Sequence, residues 1–205
     1  MKKNQYYSMV LLAVTVMIAT TSVKAQQVYL KPMAGATLAS FVGGDYDAKM
    51  KVGLVAGAEF GCAFSEKCGI TAGLLYSMQG SKYKKTDDEQ KLDYLNIPVL
   101  FNYYVAPGFA VKVGPQLGIL TRAKTADWEN NTLRRVDDYD IKHLCNTIDF
   151  SVPVGVSYEF RDFVMDARYN IGISKVGKDK SDWPWFLDSE RNSVIMFTLG
   201  YKIPL

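Results

Sequence analysis

The chain has 205 residues, with 24 basic and 21 acidic side chains, a formal net charge of +3 and a single histidine. Lys2, Lys3 and Lys24 fall in what reads as a leader, so the rest carries 21 basic groups against 21 acidic ones and is formally neutral. That removes the case for nucleic-acid binding, which wants a concentrated basic face, and the remaining roughly 180 residues are enough for one domain.

Lys2 and Lys3 precede an apolar run from Met9 to Ala19, and Val23 and Ala25 form a small-residue cleavage pattern before Gln26. Residues 1–25 therefore read as a secretory signal peptide, too short and wrongly flanked for a spanning helix. Residues 26–205 read as the mature domain. Gln26 is not the cysteine that lipoprotein attachment needs. No later stretch holds eighteen uninterrupted apolar residues, so the sequence contains no transmembrane helix.

Eight stretches alternate an apolar residue with a small or polar one, the mark of strands with one apolar face. The first, near Val28 to Ala39, has Val28, Leu30, Ala34, Ala36 and Leu38 in phase. The second sets Val52, Leu54, Ala56, Ala58 and Phe60 against Gly53, Gly57, Glu59 and Gly61. The third sets Ile70, Ala72, Leu74, Tyr76 and Met78 against Thr71, Gly73, Ser77 and Gln79. In the fourth, Leu95, Ile97, Val99, Phe101 and Tyr103 alternate with Tyr94, Asn96, Pro98, Leu100 and Asn102.

The fifth places Phe109, Val111, Val113, Leu117 and Ile119 opposite Lys112, Gly114, Gln116, Gly118 and Arg122. The sixth has Ile148, Phe150, Val152, Val154, Val156, Tyr158 and Phe160 against Asp149, Ser151, Gly155, Ser157 and Glu159. The seventh has Phe163, Met165, Ala167, Tyr169, Ile171 and Ile173 against Asp166, Arg168, Asn170 and Gly172. The eighth has Ile195, Phe197, Leu199, Tyr201 and Ile203 against Thr198, Gly200 and Lys202. Each meets the roughly 9 to 11 residues a tilted strand needs to cross a bilayer. Pro98, Pro115 and Pro153 each remove a ladder donor, and bulges or local breaks are expected there.

Connections near 62–68, 105–108 and 161–162 are short, whereas those near 40–48, 83–89, 123–145 and 175–192 are longer and polar. Short turns on the periplasmic side and long loops outside are the usual arrangement of a membrane barrel. The expected fold is all-β: a closed eight-stranded antiparallel up-and-down transmembrane β-barrel in the outer membrane, its apolar phase facing lipid.

A soluble lipocalin-like barrel has the same period but turns its apolar phase inward. The second phase argues against that, because it is crowded with glycine and small residues. Its charges are few and nearly balanced: Lys31, Lys112, Arg122, Arg168 and Lys202 against Glu59, Asp149, Glu159 and Asp166. A narrow lumen accommodates such a charge network provided the ions are paired. Phe60, Tyr103, Phe109, Tyr158, Phe160, Phe163 and Tyr201 fall on the apolar phase beside the short turns, as a periplasmic aromatic girdle would.

Cys62 and Cys68 bracket a short turn where a cross-turn disulfide is geometrically open to them, leaving Cys145 over; three unpaired thiols is the alternative. Their spacing resembles no zinc motif. His143 has no neighbouring serine motif, and Asp137, Asp138 and Asp140 lack the spacing of a dedicated calcium loop. No catalytic residue, metal site or cofactor is expected. A non-enzymatic barrel can act in envelope structure, or bind a protein partner through its outer loops, where Trp128, Trp183, Trp185 and Phe186 are exposed candidates. The same aromatics also suit the outer lipid boundary. A small porin-like channel is a second reading and a barrel enzyme acting on lipid A a third.

The stretch Leu92-Asp93-Tyr94-Leu95-Asn96-Ile97-Pro98-Val99-Leu100 resembles the "YLEIPLL" strand of the Bacteroidetes-type outer-membrane β-barrel family, which includes PorT-like proteins. Phe197-Thr198-Leu199-Gly200-Tyr201-Lys202-Ile203 resembles its terminal strand. The chain departs from the pattern with Asn96 where an acid is frequent, and with Leu205 where proteobacterial barrels commonly carry phenylalanine. The resemblance implies insertion by the barrel assembly machinery. Some members of that family serve in type IX secretion or gliding.

Overall fold

The computed structural model describes residues 27–43, 48–83, 89–128, 135–177 and 190–205. Residues 1–25, read above as a signal peptide, and Trp183, Trp185 and Phe186 lie outside the described residues. The strands are β1 (Gln27–Val42), β2 (Ala48–Ala63), β3 (Cys68–Tyr83), β4 (Glu89–Ala106), β5 (Phe109–Val113), β6 (Gln116–Trp128), β7 (Arg135–Asp140), β8 (Ile148–Phe160), β9 (Phe163–Gly172), β10 (Arg191–Tyr201) and β11 (Ile203–Pro204). All pairings are antiparallel, and β1 meets β10 from Met33↔Gly200 to Val42↔Arg191, which closes the ring. Two staves are broken, one midway into β5 and β6 and one near its C-terminal end into β10 and β11, so the ring has eight staves. β7 lies outside this count, as a hairpin extension of β6 above the wall.

The alternation in sequence becomes alternation in burial. Along β9, Val164, Asp166, Arg168, Asn170 and Gly172 point inward while Phe163, Met165, Tyr169 and Ile171 stand outside. Val52, Leu54, Phe150 and Leu199 are 69%, 63%, 55% and 54% exposed, whereas Lys31, Glu59, Asp166 and Arg168 are at most 4% exposed. An apolar belt around the whole wall with ions inside is the arrangement hydrocarbon requires, since the closed ladder leaves no edge to satisfy. It is the reverse of a soluble ligand-binding barrel. Among the described residues no helix is long and apolar enough to cross a membrane.

The prolines sit where the ladder breaks. Pro115 follows Gly114 in the gap between β5 and β6. Pro98 lies where β4 passes from pairing β6 to pairing β5, and Pro153 lies at the same passage on β8. Three neighbouring staves thus lose a donor at one seam, where Val99 N–H still reaches the Pro115 carbonyl at 2.9 Å. Pro32 marks a fourth break, opposite the gap between β10 and β11.

Two bulges bend the outer end. On β6, Thr121 is an extra residue between Asp93↔Arg122 and Tyr94↔Leu120, and its hydroxyl donates to the Asp93 carbonyl at 2.8 Å. On β2, the register slips between Met50 and Val55, with Gly80 of β3 opposite at φ +122°. The side chains of Thr37 and Lys51 reach into this slip. The Thr37 hydroxyl donates to the Met78 carbonyl at 2.6 Å, and the Lys51 ammonium donates to the carbonyls of Gln79 and Gln90 at 3.0 and 3.4 Å.

The long polar loop expected over 123–145 is largely ordered instead. It forms the end of β6, β7 and a 3₁₀ turn at Lys142–Leu144. Ile141 N–H bonds the Ala123 carbonyl at 3.1 Å and Cys145 bridges Gly177, which draws two connections together at the outer mouth.

Of the two alternatives for the cysteines, the structure has three unpaired thiols: Cys62, Cys68 and Cys145 are free. Cys62 stands opposite Ile70, two residues beyond Cys68. Such a diagonal is about 7–8 Å, longer than the roughly 4.4–6.8 Å that a disulfide spans. Alkylation of the denatured, unreduced protein is expected to modify all three thiols, read as three mass additions; a single addition, placed on Cys145 by peptide mapping, would show that Cys62 and Cys68 are joined.

Candidate functional site

The lumen carries the chemistry expected of the inward phase. Lys31 on β1 and Glu59 on β2 are register partners, with Nζ 2.8 Å from Oε2. Arg168 on β9 spans the interior, donating from Nη1 to Glu59 Oε1. Its Nε and Nη2 hold both oxygens of Asp166, the latter at 2.9 Å. Lys112 on β5 donates to Asp166 Oδ2, and Lys31 Nζ lies 3.8 Å from the same carboxylate. Every side chain in this network is at most 5% exposed. A fork of guanidinium donors on two carboxylates fixes geometry as well as charge. The arrangement is a cross-brace between walls and offers no open face to a substrate.

The other predicted lumen charges fall elsewhere. Glu159 and Lys202 form a separate pair at the end with the short turns, 2.8 Å apart, where Tyr104 Oη donates to Glu159 and Lys202 Nζ stands 4.2 Å from the Tyr29 ring centroid. Asp149 belongs to no ion pair among the described residues and is held by Ser174 Oγ at 2.9 Å and Asn192 Nδ2 at 3.3 Å. Arg122 is a correction: its side chain is 49% exposed and lies on the outer face, 3.9 Å from Asp93. The Thr121 bulge shifts the phase by one residue, so Leu120 and Ala123 point inward and Arg122 turns out. The central network itself holds three cations and two carboxylates, and without Arg122 the inward set reads four cations against four acids.

Large apolar side chains also fill the lumen, which the inward phase read as small and charged did not anticipate. Met33, Val55, Leu75 and Met196 form one buried cluster. At the outer mouth Phe41, Leu92, Tyr94, Leu120 and Ala123 pack with Cys145 and Val176 from the connections above. Lys51, Asp93 and Glu190 are buried ionisable groups that periodicity alone did not single out. Lys51 was hidden by the β2 slip, and Asp93 lies on the outward phase of β4 beneath the Tyr76 hydroxyl, which donates to it at 2.8 Å.

Phe60, Tyr103, Tyr158, Phe160, Phe163 and Tyr201 are all exposed on the outer face near the short turns, with Phe109 half-buried beside them. Phe163 and Tyr201 stack edge to face with centroids 5.3 Å apart. Trp128 ends β6. His143 lies exposed in the 3₁₀ turn, and Asp140 accepts the Lys142 N–H at 2.8 Å. Asp137 and Asp138 fall on β7. Among the described residues no group of three or more His, Cys, Asp or Glu side chains is placed to hold a metal ion.

Residues 9–177 match the family model described as the outer membrane protein beta-barrel domain. The chain belongs to that family. As a member of the outer membrane protein β-barrel family it resides in the outer membrane. The structure is similar to that of Ail, the attachment invasion locus protein of Yersinia pestis, with a TM-score of 0.51 and 13% identity over 88% of this chain and 100% of that one. At that identity the likeness shows the fold alone. Neisserial surface protein A matches with a TM-score of 0.46 and 14% identity over 89% of this chain and 100% of that one. Outer membrane protein W of E. coli matches with a TM-score of 0.43 and 17% identity over 88% and 99%. No curated protein matches the sequence.

Because Arg168 answers two buried carboxylates at once, removing it leaves both short of a partner. Arg168→Met is expected to lower stability by about 3–5 kcal/mol, the usual cost of breaking a buried ion pair from one side. Urea unfolding of vesicle-reconstituted protein, followed by heat-modifiable gel migration, measures this. A loss below about 1 kcal/mol, the range of exposed pairs, would contradict the cross-brace.

Proposed function

We propose that this outer-membrane barrel is a non-enzymatic protein with a side-chain-filled lumen, acting in envelope structure or in partner binding through its outer loops. The observation that carries the reading is the double closure of the interior. The Glu59–Arg168–Asp166 brace crosses the lumen, and the cluster around Tyr94, Cys145 and Val176 stops the outer mouth. An eight-stranded interior is just wide enough for side chains to fill, which counts against a porin-like channel. Buried Asn96, Asn102, Asn170 and Thr198 have side-chain atoms with no protein hydrogen-bond partner among the described residues. These positions suit ordered water without opening a path through the brace.

Residues 1–25 act in this proposal as a cleaved leader, and the barrel assembly machinery inserts the processed chain among outer-membrane lipids. The Leu92–Leu100 stretch supports a second reading, an accessory role in type IX secretion as a PorT-like protein, which needs a partner at the envelope. Trp128, Trp183, Trp185 and Phe186 are the loop residues best suited to such contact.

In planar bilayers the purified protein is expected to give no stable, large single-channel steps; such steps would overturn the closed lumen. Photo-cross-linking in whole cells from positions 128 and 185 is expected to yield a discrete protein adduct. Lipid adducts alone would sink the partner role and leave the aromatics as boundary residues.

A further inference from the structure

On β4 and β6 the outward face carries a group of cations at the end with the long connections. Asp93 and Arg122 are register partners on β4 and β6, and Lys91 faces Lys124 in the next outward row. Beside Lys91 on β3 stands Gly80, which has no side chain, and beside Asp93 stands Met78. These positions leave a hollow of about 430 Å³ opening between Lys91, Arg122, Met78 and Val52, with Lys51 beneath. Val52 and Met78 are 69% and 38% exposed, so the hollow opens on the same face as the apolar belt.

One feature marks this hollow as more than a solvated rim. Arg122 arrives there only because the Thr121 bulge turns it out of the lumen. Asp93 stays beneath it, receiving the Tyr76 hydroxyl and standing 3.9 Å from the guanidinium, so it positions Arg122. Lys142 adds a further cation, its ammonium 3.0 Å from the Thr121 carbonyl, and Asp140 faces Lys124 from β7.

Depth selects the ligand. From Tyr103, beside a short turn, to Asp93 the outward residues of β4 run Phe101, Val99, Ile97 and Leu95. Ten residues of tilted strand rise about 25 Å, the height of the apolar band of such barrels. The cations therefore stand where the hydrocarbon ends and headgroups begin, at the end carrying the long connections.

We propose that the hollow lined by Lys91 and Arg122, with Lys124 opposite Lys91 on the neighbouring strand, binds the phosphate of an outer-leaflet lipid headgroup. The guanidinium fork matches phosphate oxygens, the two ammonium groups supply point charge, and Val52 and Met78 line the path of the acyl chains. The site rests on the outward apolar face and is independent of the closed lumen, which conductance tests separately.

Native mass spectrometry of the detergent-solubilised full chain tests it, with monophosphoryl lipid A, its dephosphorylated counterpart and inorganic phosphate as separate probes. The phosphorylated lipid is expected to bind at least tenfold more tightly than either other probe. Lys91→Gln with Arg122→Gln is expected to remove that preference, and Lys67→Gln at a short turn to leave it intact. Equal binding of the dephosphorylated lipid, or of free phosphate, would overturn the proposal, as would a folded double variant that binds like the parent. If the double variant does not fold, the three-probe comparison on the parent protein decides alone.

Discussion

An interior only as wide as the side chains that fill it forces each charge placed there to be answered by a neighbour. In this barrel one residue does most of the answering. Arg168 reaches from β9 to Glu59 on β2 while holding Asp166 on its own strand, and the two lysines close the remaining sides. The Arg168–Glu59 and Lys112–Asp166 links of this brace tie β9 to β2 and β5 to β9, pairs of staves that share no ladder. The exterior is its complement: with the ions gathered inside and the backbone paired around the ring, the outer face can be apolar throughout the hydrocarbon depth.

The architecture was legible because its two requirements both have a period of two. Strand pairing puts successive side chains on opposite faces, and lipid outside with ions inside makes those faces chemically distinct. The Lys31, Glu59, Lys112, Asp166 and Arg168 set could be read from phase alone, since each lies on a stretch with no irregularity between it and its neighbours. Phase failed at Arg122, where one inserted residue at Thr121 inverts everything after it. It was silent on the loops over the outer mouth, because Cys145 and Val176 belong to no alternating stretch. It left Cys62 and Cys68 open, because their separation in sequence admits a turn while only the register puts them on a diagonal.

Irregularity here is concentrated rather than scattered. Pro98, Pro115 and Pro153 line up on adjacent staves, so a single seam absorbs three missing donors. A seam of this kind lets a stave change direction without unpairing the whole ladder, as a bulge does. The slip in β2 works differently: across from it the Met78 and Gln79 carbonyls of β3 accept from Thr37 and Lys51, side chains supplied by the wall itself. Breaks near the middle are relieved by shifting partners, and breaks near the outer end by polar side chains.

That difference explains why the two ends of the barrel are not equivalent. The end with short turns is finished by aromatics and one half-buried ion pair, Glu159 with Lys202. The other end holds the β2 slip and the β6 bulge, the buried Lys51 and the cations of β4 and β6. A bulge is the cheapest way for a strand to move a charged side chain from one face to the other, since a single added residue suffices and the ladder resumes beyond it. Thr121 does this for Arg122 at the level where the outward face leaves hydrocarbon, so the device that defeated the phase reading is also the one that places a guanidinium against the headgroups.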